Sequence, residues 1–123
     1  SAIPVVVVST LGMSTLTGVT NLFGGSLGYC ALLAADGVDC WGIGLSGAIG
    51  NGLFNSSAIP SSVLLPSGPG NLSGVASITS GSFGYCALLT SGGLVCWGSG
   101  LRGELGNGQF ANSATPAVVF STS

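Results

Sequence analysis

Gly84-Tyr85-Cys86-Ala87-Leu88-Leu89-Thr90 runs through a Ser91-Gly92-Gly93 break into Leu94-Val95-Cys96-Trp97-Gly98. Two short, largely apolar runs around a glycine-rich tripeptide predict an antiparallel hairpin, because glycine enters the positive-φ conformations that a tight turn demands. The stretch has an earlier twin, in which Gly28-Tyr29-Cys30-Ala31-Leu32-Leu33 and Cys40-Trp41-Gly42 flank a turn at Ala35-Asp36-Gly37. Cys30 recurs at Cys86, Trp41 at Trp97 and Asn51 at Asn107, each 56 positions on. The opening Ser1-Ala2-Ile3-Pro4 returns as Ser57-Ala58-Ile59-Pro60 and again as Ser113-Ala114-Thr115-Pro116. A fixed period of this kind marks a repeat architecture. The chain accordingly divides into a first β repeat at 1–56, a second at 57–112, and the first strand of a third repeat at 113–123.

Each copy reads as four short strands between turn signals, and no segment carries a 3.6-residue apolar period over helical length. In the second copy the strands are expected near 59–65, 74–79, 85–90 and 94–97. The predicted fold class is all-β: two tandem four-stranded antiparallel propeller-like blades plus one extra strand, open rather than closed into a ring, and stacked in an array. The extra strand, about 115–120, is expected to leave an unpaired edge that seeks a partner.

The 123 residues include 23 glycines; 46% are hydrophobic and 3% charged, the charges being Asp36, Asp39, Arg102 and Glu104. A disordered chain would be polar and poor in apolar residues, so this one is expected to fold. The longest apolar runs, 3–8 and 29–35, are too short for a transmembrane helix. A single cation offers no footprint for phosphate neutralisation, which argues against nucleic acid as a partner.

The four cysteines form two C-x9-C pairs, one residue of each pair on either side of a predicted hairpin turn. That spacing suits disulfides Cys30–Cys40 and Cys86–Cys96, with reduced core cysteines as the alternative. A zinc site would favour C-x2-C spacing and histidine, which the chain lacks, so no metal site is expected. Disulfides imply an oxidising, extracellular compartment or a cell surface. Trp41 and Trp97, repeated on the last strand of each hairpin, read as core rather than as ligand platforms, and Tyr29 and Tyr85 repeat in the same way.

Gly42-Ile43-Gly44-Leu45-Ser46-Gly47 and Gly98-Ser99-Gly100-Leu101-Arg102-Gly103 satisfy the dinucleotide string GxGxxG. Each runs into a turn, Gly50-Asn51-Gly52 or Gly106-Asn107-Gly108, instead of the helix a pyrophosphate needs, so no cofactor is predicted. With neither histidine nor lysine, and with Asp36 in a turn, Asp39 on a strand and Glu104 in a glycine loop beside Arg102, no catalytic constellation emerges. Arg102 and Glu104 are read as an exposed ion pair. Asn55-Ser56-Ser57 and Asn71-Leu72-Ser73 are sequons that make Asn55 and Asn71 candidate glycosylation sites.

Gly84-Tyr85-Cys86-Ala87-Leu88-Leu89, Val95-Cys96-Trp97-Gly98 and Gly103-Glu104-Leu105-Gly106-Asn107-Gly108 resemble the regulator-of-chromosome-condensation repeat, with Glu104 where that family usually places glutamine. The first copy is looser, having Gly47-Ala48-Ile49-Gly50 in place of Gly103-Glu104-Leu105-Gly106. The resemblance implies propeller blades. It does not carry a single function, since such repeats serve as exchange factors, secreted enzyme inhibitors and scaffolds, and the exchange-factor role depends on a complete ring. Near-identical loops in both copies point to an extracellular structural protein, a glycosylated subunit or segment of a filament or surface array that self-associates head to tail. The alternative is a secreted propeller-type binding module for a protein or glycan partner.

Overall fold

The computed structural model describes residues 3–66 and 69–121. Its strands are β1 (Val19–Gly24), β2 (Gly28–Leu33), β3 (Val38–Gly42), β4 (Ser57–Ser62), β5 (Val75–Ser80), β6 (Gly84–Leu89), β7 (Leu94–Gly98) and β8 (Ser113–Val118). They form two four-stranded antiparallel sheets in sequence order, β1-β2-β3-β4 and β5-β6-β7-β8. This is the all-β pair of open, propeller-like blades that the repeat predicts.

The hairpins at the centre of each blade close as expected. Asp36 takes a positive φ of 66° and Gly92 one of 93°. The Leu33 N–H donates to Gly37 O at 2.9 Å, and the Leu89 N–H to Gly93 O at the same distance. Cys30 lies opposite Cys40 and Tyr29 opposite Trp41, exactly mirrored by Cys86 opposite Cys96 and Tyr85 opposite Trp97.

The phase of the blades relative to the sequence repeat differs from the expected one. β4 begins at Ser57, where the second copy begins, yet it pairs with β3 of the first blade through Asp39↔Ser62 and Cys40↔Ser61. In the same way β8 pairs with β7 through Val95↔Val118 and Cys96↔Ala117. The terminal strand expected to stand outside the two blades is therefore the fourth strand of the second blade. A period has no origin of its own: the open hydrogen-bonding edges of β3 and β7 recruit the next extended segment, which belongs to the following sequence copy. The corresponding segment at the start of the chain, 3–8, belongs to neither sheet; Val8 makes an isolated bridge to Thr15, as Leu64 does to Asn71.

One hydrophobic cluster spans both blades. Cys30, Leu32, Val38, Cys40, Ile49 and Val63 of the first meet Val75, Ile78, Tyr85, Ala87, Val95 and Trp97 of the second. Alternation along the strands explains the two sets, since residues two apart share a face: Cys30 and Leu32 point toward the second blade, while Tyr85 and Ala87 point back at the first. The core is thus the junction between two half-buried sheets, and burying that apolar area is what holds the blades together.

Candidate binding face

Polar bonds fix the junction in register. The Trp97 Nε1–H donates to Ala48 O at 3.0 Å in a buried site. The Gly52 N–H donates to Ala114 O at 2.9 Å, the Ser46 hydroxyl to Phe83 O at 3.2 Å, and the Ser80 hydroxyl to Gly24 O at 2.7 Å. The 43–56 loop of the first blade therefore lies across β7 and β8 of the second. Its glycines are required by contact. A Cβ on Gly47, whose φ is 88°, would stand 2.5 Å from Ser113 O, and one on Gly50 would stand 2.9 Å from Trp97 Nε1.

The GxGxxG strings serve this loop geometry. A Cβ on Gly44 would meet Asn55 O at 2.1 Å, and one on Gly100 would meet Ala111 O at 2.1 Å. These middle glycines let the two ends of a loop approach each other, and each loop starts from a strand and continues into turns.

The twin residues are not equally buried. Tyr85 is 4% exposed and Trp97 fully buried, whereas Tyr29 is 49% exposed and Trp41 only partly covered. The expectation that both tryptophans fill core holds for Trp97; Trp41 instead lines a shallow apolar pocket with Val7, Leu16, Val19, Leu22 and Ala31. Both Tyr–Trp pairs keep ring centroids 6.0 Å apart, so the difference arises outside the blade. Trp97 faces the preceding blade, and Trp41 has no preceding blade among the described residues. The opposite face shows the complementary pattern: Leu32 is 5% exposed and Leu88, its counterpart, 42%.

The disulfides join directly opposed residues, Cys30 to Cys40 and Cys86 to Cys96, with Sγ–Sγ distances of 2.04 Å. Cα atoms 4.1 and 4.0 Å apart reflect the close approach of a directly facing antiparallel pair. Among the described residues no group of three or more potential metal ligands comes together.

The three carboxylates sit on separate elements. Asp39 is buried on β3 and accepts a hydrogen bond from the Ser62 hydroxyl at 3.2 Å; desolvation raises its pKa above the usual carboxylate value, and the Ser62 bond partly offsets this. Glu104 is exposed and accepts from the Arg102 backbone N–H at 2.6 Å and from the Ser99 hydroxyl at 3.4 Å. Main-chain N–H donors, its own and that of Arg102, lead the causes that lower its pKa. The anticipated Arg102–Glu104 pairing is thus a side-chain-to-backbone contact closing the glycine loop. Asp36 occupies the β2–β3 turn. Asn55 is exposed in the loop before β4, and Asn71 is exposed at the bridge to Leu64.

Beside the second blade, Gly81, Phe83, Tyr85, Trp97, Ser99, Arg102 and Glu104 are among the residues that line an open groove of about 330 Å³. Burial raises the pKa of the Tyr85 hydroxyl at its base, with the neighbouring Tyr29 a smaller cause. Phe83 in its lining is exposed, as are Leu101, which precedes Arg102 in the glycine loop, and Phe110, whose ring lies near Gly103. Sequence reading missed this groove because Phe83, Ser99, Arg102 and Glu104 are brought together by the β5–β6 turn and the glycine loop, which are far apart in the chain. The available signal was that the one cation and a carboxylate both fall in a single loop.

The regulator of chromosome condensation (RCC1) repeat matches residues 75–104. No curated protein sequence matches the chain. Human WBSCR16 is similar in structure, with 27% identity and a TM-score of 0.69 over 84% of this chain and 26% of that one. A chain in the crystal structure of Kap60 bound to yeast RCC1 (Prp20) aligns at 22% identity and a TM-score of 0.72, over 89% of this chain and 25% of that one. Prp20p from Saccharomyces cerevisiae, described for its binding to Gsp1p and histones, aligns at 17% and 0.71 over 85% and 26%. The chain spans about a quarter of the length of the solved structures it matches. The second blade holds the segment that matches the regulator of chromosome condensation (RCC1) repeat, and the first blade repeats its strand order and register.

Proposed function

We propose that the chain is a binding module for a protein partner, with the groove beside the second blade as its contact surface. The observation that carries this reading is the composition of that surface. Exposed Phe83 shares the groove with Arg102, and exposed Leu101 and Phe110 belong to the adjoining glycine loop and its flank, next to Arg102 in sequence and near Gly103 in space respectively; protein interfaces enrich aromatic residues and arginine while their energetic centres are few and clustered. Structural neighbours described with Kap60, Gsp1p and histones are protein-binding proteins, which supports a protein in preference to a glycan or nucleic acid.

The test is biolayer interferometry of the immobilised chain against Kap60, Gsp1p, histones, a glycan array and duplex DNA. A protein ligand whose affinity falls about tenfold or more, roughly 1.4 kcal/mol, in Phe83→Ala and Phe110→Ala supports the reading. Binding confined to glycans or DNA, or protein binding indifferent to both substitutions, refutes it.

A second reading, an extracellular and glycosylated structural subunit, is supported by the exposure of Asn55 and Asn71 and by the two hairpin disulfides. The intact mass of material from its native source tests it. Bare asparagines, with no sugar on serine or threonine, would remove the glycan from that reading.

A further inference from the structure

The junction between the two blades is a worked example of what covers each kind of blade face. On one side it presents Leu32, Val38 and the 43–56 loop, with Gly47, Gly50 and Gly52 at φ of 88°, 76° and 85°. On the other it presents Tyr85, Trp97 and Ala114. Both sides recur at the outer ends of the pair, 56 residues away. Leu88, Leu94 and a loop with Gly103, Gly106 and Gly108 at 81°, 64° and 81° form one end. Tyr29, Trp41 and Ala58 form the other.

At each end some residues equivalent to buried ones are uncovered, while Ala31 and Asp39 at one end and Cys96 and Leu105 at the other stay buried within their own blade. Leu88 and Leu94 are exposed where Leu32 and Val38 are buried, and Tyr29 and Ala58 are exposed where Tyr85 and Ala114 are buried. The second glycine loop is already in the backbone conformation of the first. Leu101 and Phe110 fall outside this surface, whereas Phe83 corresponds to Leu27, which packs against the core cluster. Leu45 and Phe54, the counterparts of Leu101 and Phe110, remain exposed although their loop is docked.

We infer that the Tyr29–Trp41–Ala58 face binds the Leu88–Leu94 face and 103–108 loop of a second copy of this chain, head to tail. In that contact the Trp41 Nε1–H donates to the second copy's Glu104 backbone oxygen, as Trp97 does to Ala48 O, and Gly108 N–H reaches Ala58 O, as Gly52 does Ala114 O. The tryptophan bond uses a main-chain acceptor, so glutamate in place of alanine leaves it available. The apolar area removed from water drives the docking, and the contact is heterologous, propagating into an open chain or closing into a ring.

One adjustment is needed. Segment 3–8 of the incoming copy and β8 of the receiving copy correspond to the same blade position, that of β4. β8 is paired along β7 and buries Pro116, whereas Val5 and Val6 are among the most exposed apolar residues, so 3–8 is the segment that yields. The inference shares Glu104 with the groove, but the substitutions that test it, Ala58→Arg and Leu88→Arg, lie outside the groove's lining, so its failure is distinguishable from failure of the groove reading.

Sedimentation velocity of the full chain from about 1 μM to 1 mM, with acrylamide quenching of tryptophan fluorescence, tests it. Wild-type chain is expected to associate with rising concentration, and Trp41, the accessible tryptophan, to become protected as it does. Ala58→Arg blocks one face and Leu88→Arg the other, so each variant alone should associate at least tenfold more weakly. A mixture of the two has one intact face on each partner and should give a 1:1 heterodimer that grows no further. A wild-type monomer throughout, association unchanged in either variant, or a mixture that stays monomeric overturns the inference. Ser91→Arg, in the exposed β6–β7 turn, controls for added charge and should associate as wild type.

Discussion

Trp97→Phe and Trp41→Phe are the same substitution at equivalent positions of two repeats, and the structure assigns them different costs. The Trp97 indole is fully buried, and its N–H meets Ala48 O at 3.0 Å. Phenylalanine removes that bond, worth about 1 kcal/mol net, and leaves a buried carbonyl unpaired at a further cost of about 1–3 kcal/mol. It also leaves a void where the five-membered ring packed, which costs more wherever the surroundings cannot collapse. The sum is about 3 kcal/mol. Trp41 lies at a partly solvated face, so its substitution should cost below about 1 kcal/mol. For a chain of this size the first change corresponds to a fall in Tm on the order of 10 °C. Urea unfolding followed by far-ultraviolet circular dichroism, at concentrations where the chain is monomeric, reads both without using tryptophan as the reporter. Equal losses within about 0.5 kcal/mol would show that the two faces are equivalent in solution, and the junction described above would be wrong.

Gly47→Ala and Gly103→Ala make a parallel comparison: both residues have positive φ, but a Cβ at Gly47 meets the backbone of Ser113 and Ala114, while one at Gly103 approaches only the Phe110 ring. Gly47→Ala should cost at least about 2 kcal/mol more by urea unfolding, the strain at positive φ being common to both; similar costs would mean the loop does not dock. Asp39 and Ser62 occupy the positions that Val95 and Val118 hold in the second blade, and because the folded state raises the Asp39 pKa, its charge is a penalty above the folded pKa that is relieved as pH falls toward the unfolded value. Asp39→Val with Ser62→Val should therefore be neutral to about 2 kcal/mol stabilising at pH 7, with an advantage that shrinks on acidification; a gap independent of pH refutes the burial. Each disulfide closes a short loop, for which the chain-entropy account gives about 2–3 kcal/mol; Cys86→Ala with Cys96→Ala should lose about that much stability, and non-reducing peptide maps should show Cys30–Cys40 and Cys86–Cys96, a Cys30–Cys86 link being incompatible with two separate hairpins.

The hairpins, the pairing of each cysteine with the one across its turn, and the need for glycine in the loops were legible in the sequence because their causes are local. The partners lie within about ten positions, and turn chemistry with alternating apolar residues determines which atoms meet. The 56-residue repeat likewise announced two equivalent units. Two things were decided only in three dimensions. The blades borrow their fourth strands from the next sequence copy, because strand pairing is chosen at a sheet edge and a periodic sequence does not say where a unit begins. The fates of Tyr29 and Tyr85, or of Trp41 and Trp97, diverge although their local sequences match, because burial belongs to the neighbour that covers a residue, and among the described residues only the Tyr85–Trp97 face is covered by another blade.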